Sequence, residues 1–92
     1  MHVLRIAHDV PDYDAWKRMF DSDPLGRAAG GVSGHRVARA ADDPNHVLIE
    51  LDFADAGAAE AFADRLHDLW TRVGVMRNPT ARVVEVVETV AY

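Results

Sequence analysis

Cysteine is absent from the 92 residues, which excludes disulfides, thiolate nucleophiles and cysteine metal sites. Basic residues are in the minority, ten Lys and Arg against fifteen Asp and Glu, for a formal net charge of −5. Nucleic-acid binding needs a basic stripe to neutralise phosphate. The arginines are instead scattered from Arg5 to Arg82, and no nucleic-acid partner is expected. No apolar run approaches the ~20 residues of a membrane span, and the start, Met1-His2-Val3-Leu4-Arg5, lacks the apolar core of a signal peptide. No membrane partner is expected, and the cytoplasm is the expected location. No linker or low-complexity tract interrupts the chain, so residues 1–92 are expected to form one domain around one core. His-x-x-x-His and His-x-Glu spacings are missing too. No metal site is therefore expected. Nucleophilic catalysis has only Ser22, Ser33, Thr71, Thr80 and Thr89 to draw on, with no nucleophile-elbow motif.

What the chain does have is one phrase written twice. Apolar alternation in Val3, Leu4, Ile6 and Ala7 predicts a strand over about 2–10, ended by Pro11. Asp9, Asp12 and Asp14 suit a helix N-terminus, and a stripe of Tyr13, Trp16, Met19 and Phe20 carries that helix to about Asp21. A breaker-rich loop with Asp23-Pro24-Leu25-Gly26-Arg27 leads to a strand over about 32–40. The turn Ala41-Asp42-Asp43-Pro44-Asn45 then joins it, as a hairpin, to a strand over 46–53. Asp55 caps a second helix with Ala59, Phe62, Ala63, Leu66, Leu69, Trp70 and Val73 on one face, and Gly74 is placed to end it. After the break Asn78-Pro79, a last strand is expected over about 81–91.

The order βαββαβ has few folding solutions. It predicts an α+β, ferredoxin-like protomer: a four-stranded antiparallel sheet with two helices on one face. The strands are apolar on both faces, with Val83 and Val87 opposed to Val84, Val86 and Val90, and Leu4 and Ile6 opposed to Val3 and Ala7. An antiparallel sheet with one wet face should alternate more cleanly. A second copy of the chain is the expected cover, as a homodimer through the sheet face.

Several stretches together resemble a known superfamily. They are Asp12-Tyr13-Asp14-Ala15-Trp16-Lys17, Phe20 to Arg27, Gly31-Val32-Ser33-Gly34-His35-Arg36-Val37, Asp42-Asp43-Pro44-Asn45 and Glu50-Leu51-Asp52-Phe53. The chain is similar to the dimeric α+β barrels, and more closely to their small antibiotic-biosynthesis-monooxygenase-like and polyketide-cyclase-like members. The resemblance implies protomers that bury their sheets against each other and keep a pocket between sheet and helices. It implies a cofactor-free oxygenase or cyclase acting on an aromatic or polyketide-like small molecule, or a binding protein with no turnover. The haem-degrading branch places an Asn on the first strand and a Trp before a His on the second helix. Here the first strand has no Asn and His67 precedes Trp70, so haem is not expected.

Two histidines are the candidate bases, because imidazole titrates near neutral pH. His8 shares a strand parity with Leu4 and Ile6, and His35 with Val37. The alternative is that both are half-buried and satisfied by structural partners. Trp16, Tyr13, Phe20 and Phe62, with Trp70, are the candidate lining for a flat ligand, although their spacing also suits core packing. Arg27 is the candidate clamp for a developing enolate, or else a loop brace on Asp21 or Asp23. Glu50 and Glu85 are expected to pair with Arg5, Arg36 or Arg82, while His2 and His46 read as solvated.

Overall fold

The computed structural model describes residues 1–73 and 77–92. Its elements run β1 (His2–Asp9), α1 (Tyr13–Asp21), β2 (Val32–Ala40), β3 (Asp43–Phe53), α2 (Ala56–Val73) and β4 (Arg77–Glu85). Gly74, expected to end α2, lies outside the described residues. The strands form one antiparallel sheet in the order β2-β3-β1-β4, a ferredoxin-like α+β fold as the sequence predicts.

The helices begin where acidic caps place them. The Asp12 carboxylate accepts the Ala15 N–H at 3.0 Å at the start of α1. Asp55 accepts the N–H groups of Gly57 and Ala58, each at 3.2 Å, ahead of α2. Each bond satisfies a donor that the first helical turn leaves orphaned. One face of the sheet then meets both helices. Leu4, Ile6, Val47, Ile49, Leu51 and Phe53 pack with Trp16 of α1 and with Ala59, Phe62, Ala63 and Leu66 of α2 in a single buried cluster.

Strand boundaries differ from expectation in two places. β3 starts at Asp43 because Ala41 and Asp42 alone make the hairpin turn. β4 covers Arg77–Glu85, earlier than the predicted 81–91, and Pro79 lies inside it. The register explains how. Ala7 pairs with Thr80 and Asp9 with Arg77, so Asn78 and Pro79 together oppose the single residue His8. This two-against-one step is a β-bulge. Asn78 takes φ 50°, a conformation Asn tolerates, and Pro79 needs no ladder partner on an edge strand. Beyond Glu85 the chain leaves the sheet, held by Val86 N–H to Met1 O at 3.0 Å. Val87 is 86% exposed and so is no part of a strand face.

The second sheet face is more polar than the alternation suggested. Val3, Ala7, Ala38, Leu48 and Val84 stand on it, but a charged row crosses its middle: Arg82 beside Arg5, Arg5 beside Glu50, Glu50 beside Arg36. Glu50 holds Arg5 at 3.3 Å and Arg36 at 2.9 Å, and Asp52 adds 3.2 Å to Arg36. The carboxylates Glu50, first, and Asp52 raise Arg36 above its ordinary range. Glu50 thus pairs as expected, whereas Glu85 faces His2 at 3.8 Å instead of an arginine. His2 and His46 are not simply solvated: both are half-buried, and His46 Nδ1 lies 2.7 Å from Asp9 Oδ1.

Candidate active site

A half-open cavity of about 70 Å³ lies between the sheet and the two helices. Its floor is Ile6, His8, Ile49 and Leu51, its helical walls are Trp16, Met19 and Phe20 against Phe62, Leu66, Leu69 and Trp70, and its last wall is Asp23, Pro24, Leu25 and Arg27 of the loop after α1.

His8 is the sheet's polar contribution. The parity that puts Leu4 and Ile6 inward also puts His8 inward, and the bulge sits opposite it. Bulges often re-aim a side chain beside a site. Only 2% of His8 is exposed. Its ring meets Trp16 edge-on at 5.7 Å between centroids and Trp70 at 6.2 Å. Burial, by stripping water from the charged form, holds this imidazole below its ordinary pKa, and the neighbouring Asp9 opposes that shift only in part. His8 is therefore neutral near pH 7. Among the described residues, its Nδ1 and the indole Nε1 atoms of Trp16 and Trp70 are buried without a hydrogen-bond partner.

Arg27 stands in the cavity wall and braces the loop at the same time. Its Nη1 donates to Phe20 O at 2.9 Å and lies 3.6 Å from Asp23 Oδ1, and the guanidinium stacks 4.0 Å from the Phe20 ring centre. Asp23, at φ 55°, accepts the Arg27 backbone N–H at 2.9 Å. Arg65 of α2 donates to Leu25 O, so the loop is tied to both helices.

Of the expected residues, His8, Trp16, Phe20, Phe62 and Arg27 converge on the cavity. Tyr13 and His35 stand outside its lining. Tyr13 lies 5.9 Å from Trp16 with Arg39 stacked on its ring at 4.6 Å. His35 is exposed on edge strand β2 and touches Phe20 edge-on at 5.4 Å. The two imidazoles do not share a wall. What sequence reasoning missed is the Asp9–His46 pair: their β1 and β3 positions face each other, yet they are 37 residues apart, and only the strand register brings them together. The His46 hydrogen bond, first, holds Asp9 below the ordinary carboxylate range. Among the described residues no three His, Asp or Glu cluster as metal ligands, and no helix is long and apolar enough to cross a membrane.

No protein-family model matches the sequence, and no curated protein matches it significantly. Solved structures do share the fold. A candidate antibiotic biosynthesis monooxygenase from Deinococcus radiodurans superposes with TM-score 0.69 at 15% identity, over 100% of this chain and 98% of that one. SnoaB, a cofactor-independent oxygenase from Streptomyces nogalater, gives 0.71 at 15% identity, over 99% and 97%. A dimeric ferredoxin-like protein from an uncultured marine organism gives 0.66 at 15% identity, over 97% of each chain. At such identities the likeness establishes the fold, that of the antibiotic-biosynthesis-monooxygenase-like, ferredoxin-like proteins; function is a matter for the site.

Proposed function

We propose that this chain is a small enzyme that abstracts a proton from carbon next to a carbonyl of an aromatic or polyketide-like molecule, with His8 as the base and no resident cofactor. One observation carries the reading: a buried, neutral imidazole with an unpartnered Nδ1 in the wall of an apolar, aromatic-lined cavity. A neutral imidazole of lowered pKa is ready to accept a proton near pH 7. Trp16 and Phe20 offer faces for a flat ring, and Arg27 supplies positive charge, partly neutralised by Asp23, on the loop side. The resulting enolate has two outcomes. In cyclisation its carbon adds to a second carbonyl, whose oxygen takes the proton from His8. In oxygenation dioxygen is the oxidant: a methylene becomes a carbonyl and one water leaves. The shared fold with a cofactor-independent oxygenase supports the second.

The same reading makes the protein a homodimer through the free sheet face. Leu48 and Val84, both partly exposed, supply apolar contact there, and a solved protein of this fold is dimeric.

The test is aerobic turnover of an anthrone, a tricyclic ketone with an acidic methylene, followed by dioxygen uptake and quinone formation. His8→Gln is expected to lower the rate at least ~100-fold, the low end for a general base, and the loss follows His8 and not His35. Undiminished turnover in His8→Gln overturns the assignment. One observation favours a second reading, a binding protein without turnover. The cavity of about 70 Å³ is smaller than the ~150 Å³ that holds one benzene ring, so a ring-sized ligand has to widen it. That reading predicts ligand binding by the wild-type protein with no product formed.

A further inference from the structure

The geometry points to an oxygen-binding pocket made of two indoles: the N–H groups of Trp16 and Trp70, both rings packed on His8, donate to a single oxygen of a planar enol or phenol and hold it as its anion. This rests on reading the cavity as a ligand site, and it names the chemical class that the site takes.

Trp16 reaches His8 from α1 and Trp70 reaches it from α2, each ring edge-on to the imidazole. A buried indole N–H normally finds an acceptor, because leaving it unpaired forfeits the hydrogen bond it made to water. Here two such donors and an imidazole nitrogen, all buried and unpartnered, belong to three rings lining one cavity. Ile6, Ile49, Leu51, Phe62 and Leu66 make the rest of the lining apolar. The missing acceptor is therefore supplied by a ligand that is otherwise flat and apolar. The charged groups in the lining are Asp23 and Arg27, 3.6 Å apart and paired with each other. Arg27 already donates to Phe20 O, so a free bidentate site for a carboxylate is not present. Two indole N–H groups suit instead an oxygen whose charge is spread into a ring.

The probe is 4-nitrophenol, whose phenolate absorbs separately from the phenol, titrated by pH in the presence of excess wild-type protein. Burial in an apolar cavity alone raises a phenol's pKa, whereas donors to the anion lower it. The expected result is a bound pKa at least one unit below the free value, and phenolate binding about tenfold weaker in Trp16→Phe and in Trp70→Phe, each of which keeps a ring and removes the N–H. A bound pKa at or above the free value, no binding, or variants that bind the phenolate as tightly as the wild type overturns the pocket. The wild-type titration decides the sign without any variant, so a variant that fails to fold does not leave the matter open. Because the readout is binding, it also separates two failures. An anthrone left unturned with the phenolate still held defeats His8 as base and leaves the pocket. Turnover with no phenolate preference defeats the pocket and leaves the base.

Discussion

Two adjacent residues of β1 face opposite sides of the sheet and carry opposite electrostatic assignments. His8 is buried and neutral, its pKa lowered chiefly by lost hydration. Asp9 is an anion, its pKa lowered chiefly by the hydrogen bond with His46. Linkage gives both the same sign. A group that binds fewer protons folded than unfolded stabilises the fold at high pH and withdraws that stability as pH falls. For His8 the loss begins as pH drops below the ordinary value of 6.5 and continues to its lowered folded value; for Asp9 it comes lower, in the carboxylate range. The thermal midpoint is thus expected to fall between about pH 7 and pH 5, and His8→Gln is expected to flatten that slope. A slope that is unchanged in the variant would show that His8 is not held neutral by the fold. The inward parity of His8 was readable from Leu4 and Ile6. His35 was equally eligible by parity, and what removed it from the cavity was its place on an edge strand, which sequence does not reveal.

At the scale of elements, the caps, helix stripes and hairpin were legible because each rests on neighbours a few residues apart. Asp12 illustrates this: its one bond to the Ala15 N–H fixes the start of the helix that presents Trp16. Asp12→Ala is expected to lower unfolding free energy by about 1 kcal/mol, measured by urea titration. Pro79 was misleading for the same reason. Read locally it ends a strand, but on edge strand β4 it completes a bulge whose other half, His8, is about 70 residues away. On the proposed reading, the loop over 22–31 is the element that admits a ligand. Gly30 marks how closely it is packed: a Cβ there would stand 2.8 Å from Phe62 Cδ2. Arg65 ties this loop to α2 through Leu25 O from an exposed position. Arg65→Ala is expected to speed 4-nitrophenol binding several-fold in stopped-flow, with little change in thermal midpoint. An unaltered rate would mean that access does not run through this loop.

For the whole molecule, two copies of a strand–helix–strand phrase were enough to predict a four-stranded antiparallel sheet and the helical layer on one face. The free face was harder, because charge and apolarity interleave on it. Arg5, Glu50 and Arg36 were visible as charged residues, yet only the register shows them adjacent in one row across the sheet. Leu48 stands beside Ala7 and Ala38 on that face. In a dimer through this face, Leu48→Asp buries an unpaired charge, and sedimentation is expected to show a monomer with the wild-type circular dichroism spectrum. A dimer that survives the change puts the interface elsewhere.

If His8 takes a proton from carbon, deuterium uptake measures that step apart from whatever follows it. An anthrone incubated anaerobically in heavy water exchanges its methylene hydrogens only as fast as they are abstracted. Wild-type protein is expected to accelerate the exchange, and His8→Gln to reduce it at least ~100-fold. Exchange at the same accelerated rate in His8→Gln, or no acceleration by the wild-type protein, would contradict His8 as the base.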